Sequence, residues 1–200
     1  MASEGGSDGA RLAGSCLLAS GLVFVLLNSI AEGLYPGYSV ASNALSDLGA
    51  LGAPTQLFWD GQLFVVGALY LVGVYSLFYR SAWGAGTSRR NLVAVLYLLP
   101  GIGTVVVSLF PENFVLAIHA VGALLAFIFG GIGAIYAYRL TQPPFRYFSV
   151  VLGIVDLVSI PLMFAIGPSM SGLAERLIVY PYVLWLACFG SYLLAARNHQ

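Results

Sequence analysis

Six stretches of this chain are long and apolar enough to cross a lipid bilayer, and that fact limits the fold more than any other. A hydrocarbon core about 30 Å thick is crossed by about 20 helical residues. Runs of that kind occupy roughly residues 12–30, 57–79, 91–110, 114–138, 147–166 and 174–196. Main-chain polar groups in lipid must be satisfied within the protein, and no run shows the alternation of a barrel strand. All six are therefore predicted as helices, and the expected fold class is all-α, a polytopic membrane bundle. Residues 12–197 form one domain in this reading. Pro100-Gly101 and Pro181 fall inside runs, where membranes tolerate them, and predict kinks or close helix contacts. Composition agrees: 60% of residues are hydrophobic and 8% charged, against about a quarter charged in a soluble domain.

The first run exceeds the roughly 7–15 apolar residues of a signal peptide and is closed by no prompt small-residue cleavage site. It is expected to be a retained helix, preceded by a disordered polar tail over residues 1–11. Arginine sets the orientation. If the N-terminus is cytoplasmic, that side holds Arg11, Arg80, Arg89, Arg90, Arg139, Arg146 and Arg197, and the other side holds Arg176 alone. The positive-inside rule then puts both termini in the cytoplasm. The expected location is the cell membrane, with the bilayer as the first partner.

Several classes are disfavoured. Formal net charge is zero, and a nucleic-acid partner calls for a basic stripe. Cys16 and Cys188 lack the spacing of a metal knuckle or redox pair. There is no nucleotide loop and no haem attachment pair, and Gly130-Gly131-Ile132-Gly133 lies within a helix, so no cofactor and no metal are expected.

The acids lie mainly at the outer end: Glu32, Asp47, Asp60, Glu112 and Glu175. The outer loop 31–56 is the longest connection, too apolar and aromatic for disorder. It is expected to fold back on the bundle, with Asn43, Ser46 and Asp47 supplying caps and turn bonds. His119 heads a stripe with Gly122, Ala126, Gly130 and Ala134, small residues that mark a closely packed helix face. That stripe points His119 into the bundle. Asp156, near the middle of the fifth helix, shares a side with Ser149, Gly153, Ser159 and Met163; an intramembrane carboxylate usually faces a partner or cavity. Arg176, the lone outer arginine, is expected to pair with Glu112, Asp47 or Asp60, or to hold an anionic group such as a lipid phosphate.

The loop Ser46-Asp47-Leu48-Gly49, the turn Phe110-Pro111-Glu112-Asn113 with His119 beyond it, and Glu175-Arg176 together resemble a known group. It is the archaeal and bacterial multi-spanning membrane family catalogued as domain of unknown function 998. The resemblance covers nearly the whole chain, implies a six-helix membrane protein, and leaves the activity open.

Three functional readings follow. The first is an outer polar pocket that binds or processes a lipid headgroup or small ligand, lined by Asn43, Asp47, Asp60, Glu112, His119, Glu175 and Arg176. Ser46 or a water is then the nucleophile, His119 the base and a carboxylate its orienter. A single bundle histidine argues against zinc hydrolases of the membrane ceramidase and adiponectin-receptor kind. The second is a proton-coupled small-solute carrier using Asp156, against which stand the small size and the lack of an inverted repeat. The third is an accessory subunit whose small-residue stripes seat a helix-mediated protein partner.

Overall fold

In a computed structural model, residues 2–81 and 90–196 are described. The chain forms six helices, each long and apolar enough to cross a membrane. They are α1 (Ala2–Leu34), α2 (Gln56–Tyr75), α3 (Arg90–Leu109), α4 (Leu116–Tyr136), α5 (Phe145–Ala165) and α6 (Ser171–Ala196). A π turn, Ser76–Arg80, extends α2, and a 3-10 turn, Ala137–Arg139, extends α4. There is no strand among the described residues, so the all-α expectation holds. Arg89, Arg197 and His199 lie outside the described residues.

One boundary differs from the sequence reading. Helix α1 begins at Ala2, within the stretch expected to be a disordered tail. Gly9 sits so close to the main chain of Arg80 and Ser81 that a Cβ would overlap it. That contact seats the early turns of α1 on the end of α2, which a polar composition does not reveal.

Each helix packs against its neighbours in sequence, and α6 packs back against α1, closing a ring. Helix α4 also touches α6 directly, which leaves α5 on the outside of that seam. Lipid offers no hydrophobic drive to pull apolar helices together, so close backbone approach must do it. At the α3–α4 contact a Cβ on Gly103 would run into the Gly122 carbonyl, and at α4–α5 one on Gly153 would meet Gly131. Side chains such as Leu26, Leu57, Val121, Val158 and Phe164 stay exposed on the outer surface, as a lipid solvent requires. Pro100 and Pro181 are accommodated within continuous helices.

The ring has two distinct ends. One holds the start of α1, the α2 extension and the 140–144 turn, where the Tyr192 hydroxyl accepts from the Gln142 N–H at 3.0 Å. The other, the loop end, holds residues 35–55, the 110–115 turn and the start of α6. There Asn113 bridges Leu51, accepting from its N–H at 2.7 Å and donating to its carbonyl at 3.2 Å.

Candidate functional site

The long loop is tied down by one guanidinium. Arg176, in the first turns of α6, donates five hydrogen bonds. Three go from Nη1 to the carbonyls of Val40 (3.0 Å), Asn43 (3.1 Å) and Gly172 (2.9 Å), and two from Nη2 to Glu32 (2.7 Å) and the Tyr38 hydroxyl (2.8 Å). Gly172 lets the loop carbonyls of Val40 and Asn43 approach α6 where a side chain would collide with them. The Tyr38 hydroxyl itself donates to the Ala44 carbonyl at 2.8 Å. Burial pushes this phenol up to about 12, against the pull of Arg176, so it stays neutral.

Asp47 organises the next turn. Its Oδ2 accepts from the Asn43 side-chain amide at 2.9 Å and from the Ala44 N–H at 3.0 Å. These bonds set up the 3-10 turn Ser46–Gly49, which buries Ser46, Leu48 and Gly49 in the mouth of the ring. Glu175, the neighbour of Arg176 on α6, accepts from the Leu45 N–H and fixes the start of that turn. Glu112, on the α3–α4 turn, reaches both the Ser46 hydroxyl and the Asp47 carboxyl. Burial raises its proton affinity; the Ser46 bond opposes that, and contact with Asp47 adds to it.

His119 is 8% exposed, near the start of α4. Its Nδ1 lies 2.8 Å from the Phe110 carbonyl. A carbonyl can only accept, so Nδ1 carries a proton, and in the neutral ring Nε2 is left as the acceptor nitrogen. Ser46, His119 and Glu175 together wall one end of a cavity of about 70 Å³ inside the ring. One water needs only about 10–15 Å³ by the same measure, so the space admits something larger than a single solvent molecule. From that polar end the cavity continues past Trp59, Leu63, Phe127 and Val179 to Tyr70 and Leu186. Its deeper polar groups are satisfied within the wall. Ser20 donates to the Val66 carbonyl at 2.9 Å, Thr104 to the Pro100 carbonyl at 2.9 Å, and Tyr182 bonds Tyr70. Walls come from α1, α2, α3, α4 and α6, and none from α5.

A family model described as "Protein of unknown function (DUF998)" matches residues 18–192. The chain belongs to the DUF998 family. No curated protein and no solved structure matches it. The six apolar helices make this DUF998 protein an integral, multi-pass membrane protein.

Not all the residues singled out from the sequence of the DUF998 protein meet at the cavity. Ser46, His119 and Glu175 do, with Asp47 and Glu112 bonded behind Ser46. Asn43 is spent on the loop, bonding Asp47 and the Ser39 N–H. Asp60 lies against Gly49 near Gln56 and outside the cavity wall. Arg176 corrects an expectation: its partner is Glu32, not Glu112, Asp47 or Asp60. The reason is ring closure, which brings the end of α1 against the start of α6. Asn28 holds that carboxylate from one helical turn away, at 2.9 Å, and itself accepts from Trp59 at 3.1 Å. Asp156 is completely buried, and neither carboxylate oxygen has a hydrogen-bond partner among the described residues. It sits on α5 near Gly131 and is not among the residues that line the cavity. Among the described residues no group of three or more His, Cys, Asp or Glu is disposed to hold a metal ion.

Proposed function

We propose that this protein binds a lipid headgroup or small amphipathic ligand in the ring cavity, with the polar part at Ser46, His119 and Glu175. The observation that carries the reading is the fixed imidazole. Nδ1 is committed to Phe110, so in the neutral ring the nitrogen offered to the cavity is a lone-pair acceptor beside a buried hydroxyl and a buried carboxylate. Apolar pockets with a few convergent polar groups are the usual form of small-molecule sites. The arginine distribution supports an extracytoplasmic position for this end.

Binding is better supported than turnover. A hydrolytic site needs the nucleophile within reach of its base and the base oriented by a third group. Here the carboxyl that acts on the Ser46 side is Glu112, and the group at His119 Nδ1 is a main-chain carbonyl. The test is native mass spectrometry of protein released from lipid nanodiscs, beside an Ala123→Leu variant that fills the cavity. A small molecule retained by the parent and lost from a variant of equal thermal stability supports the reading. Equal spectra dismiss it.

A proton-coupled carrier is the second reading, favoured by the unpaired Asp156 carboxylate. Such a group is costly in a membrane interior and usually functional. It stands second because Asp156 is not among the residues that line the cavity.

A further inference from the structure

We infer that the cavity takes a cationic amphiphile, one hydrocarbon chain lying along the ring with an ammonium-type head among Ser46, His119 and Glu175, and Glu112 behind Ser46. This rests on the binding reading above and adds the chemical class of ligand.

Charge at the loop end argues the head. Arg176 is the only arginine there among the described residues, and its Nη groups are consumed by Glu32, Tyr38 and three carbonyls. Its Nε–H has no partner among the described residues, but Arg176 is not among the residues that line the cavity, so an anionic head there meets no guanidinium. What faces the polar end is acidic or accepting: the Glu175 carboxylate in the wall, Glu112 and Asp47 behind Ser46, and the Nε2 edge of His119. A second observation is His119 Nε2, which makes no hydrogen bond to a described residue although His119 is only 8% exposed. Buried acceptors left open are satisfied by a ligand that donates. Like charges brought together are penalised, so the same cluster that welcomes an ammonium repels a sulfate or phosphate.

The wall argues the tail. From Glu175 to Leu186 the cavity follows α6 for about 16 Å, at about 1.5 Å per residue. Hydroxyls along it are already bonded to carbonyls or to each other, so they offer a polar tail nothing. A bore of about 70 Å³ is narrow against the two chains of a bilayer lipid. One chain fits the shape, as an apolar ligand in a largely preformed apolar pocket.

The experiment uses the full chain in phosphatidylcholine nanodiscs. Two spin-labelled probes carry the label at the same chain position, one a hexadecyltrimethylammonium and the other a hexadecyl sulfate. Electron paramagnetic resonance reads the immobilised fraction above that of empty nanodiscs. The ammonium probe is expected to be immobilised at about tenfold lower concentration than the sulfate, the scale of one desolvated charge interaction. Glu112→Gln, which keeps a hydrogen-bonding group beside Ser46, is expected to erase most of that preference in a protein that remains folded. Ala123→Leu is expected to release the ammonium probe. If both probes bind equally and both are released by Ala123→Leu, the cationic head is overturned while the binding reading survives. A preference untouched by Glu112→Gln overturns the head assignment as well. If neither probe is immobilised, both the class of ligand and the binding reading fall.

Discussion

Arg176 Nη2 donates to Glu32 Oε1 at 2.7 Å, across 144 residues of sequence and between the first helix and the last. The pair is a clasp for the ring: it holds α1 against α6 and, through the same guanidinium, pins the loop that carries Ser46 and Asp47. Removing one member of a buried pair leaves an uncompensated charge. Arg176→Ala is therefore expected to cost about 3 kcal/mol, while Glu32→Gln, which still offers an acceptor, costs less. Thermal unfolding followed by size-exclusion in mild detergent measures both; an Arg176→Ala protein as stable as the parent would remove the clasp from the account.

The imidazole of His119 gives a spectroscopic prediction. With Nδ1 donating to Phe110, the neutral ring carries its proton on Nδ1 and leaves Nε2 bare. Nitrogen NMR of selectively labelled protein at alkaline pH is expected to report that tautomer. The opposite tautomer contradicts the orientation on which the binding site depends.

Glu112 makes stability depend on pH with a definite sign. Its proton affinity is raised in the folded protein above the ordinary 4.5, by burial first and by Asp47 after the opposing Ser46 bond. The folded state thus binds more protons than the unfolded one from that value upward, and stability falls as pH rises through the folded pKa. Asp47, Ser46, His119 and Glu175 are the groups that act on this carboxyl. Glu112→Gln is expected to flatten that slope above the ordinary 4.5. Thermal midpoints at a series of pH values decide it; parallel curves for parent and variant refute it.

Asp156→Asn is expected to fold at least as well as the parent. Its carboxylate has no donor to lose among the described residues, and a charged aspartate near a helix centre costs about 3 kcal/mol on insertion scales. Loss of folded protein would show a partner that this arrangement lacks. In liposomes the same variant tests the carrier reading: pH-driven uptake that survives the substitution rules it out.

Orientation is open to direct labelling. Ser39 is exposed in the long loop. In a background with Cys16 and Cys188 replaced, Ser39→Cys is expected to react with a membrane-impermeant maleimide in intact cells. Reaction only after permeabilisation reverses the topology.

The six helices were legible because crossing a bilayer demands length and apolarity, and both are visible in a run such as Leu116–Tyr136 without knowing its neighbours. The interior face of α4 was legible too. His119, Gly122, Ala126, Gly130 and Ala134 are all buried, since small residues in a membrane helix mark close packing. Ser149, Gly153 and Ser159 accompany Asp156 inside for the same reason. The ring itself was hidden. In lipid both faces of a helix are apolar, so hydropathy does not say which face meets which helix. Glu32 shows the consequence, since nothing along the chain selects it over Glu112 as the partner of Arg176. The cavity was equally out of reach, its wall being drawn from five helices whose lining residues, Phe24 or Val179 among them, resemble any others in those runs.

Closure of α1 by α6 also sets the order in which the site comes into being. During synthesis the first helix leaves the ribosome long before the last, so Glu32 and the loop behind it wait for Arg176 to emerge. Glu175, Val179, Tyr182, Val183 and Leu186 arrive with that final segment. A nascent chain stopped after α5 has five inserted helices, an untethered loop and an open groove in place of an enclosed chamber.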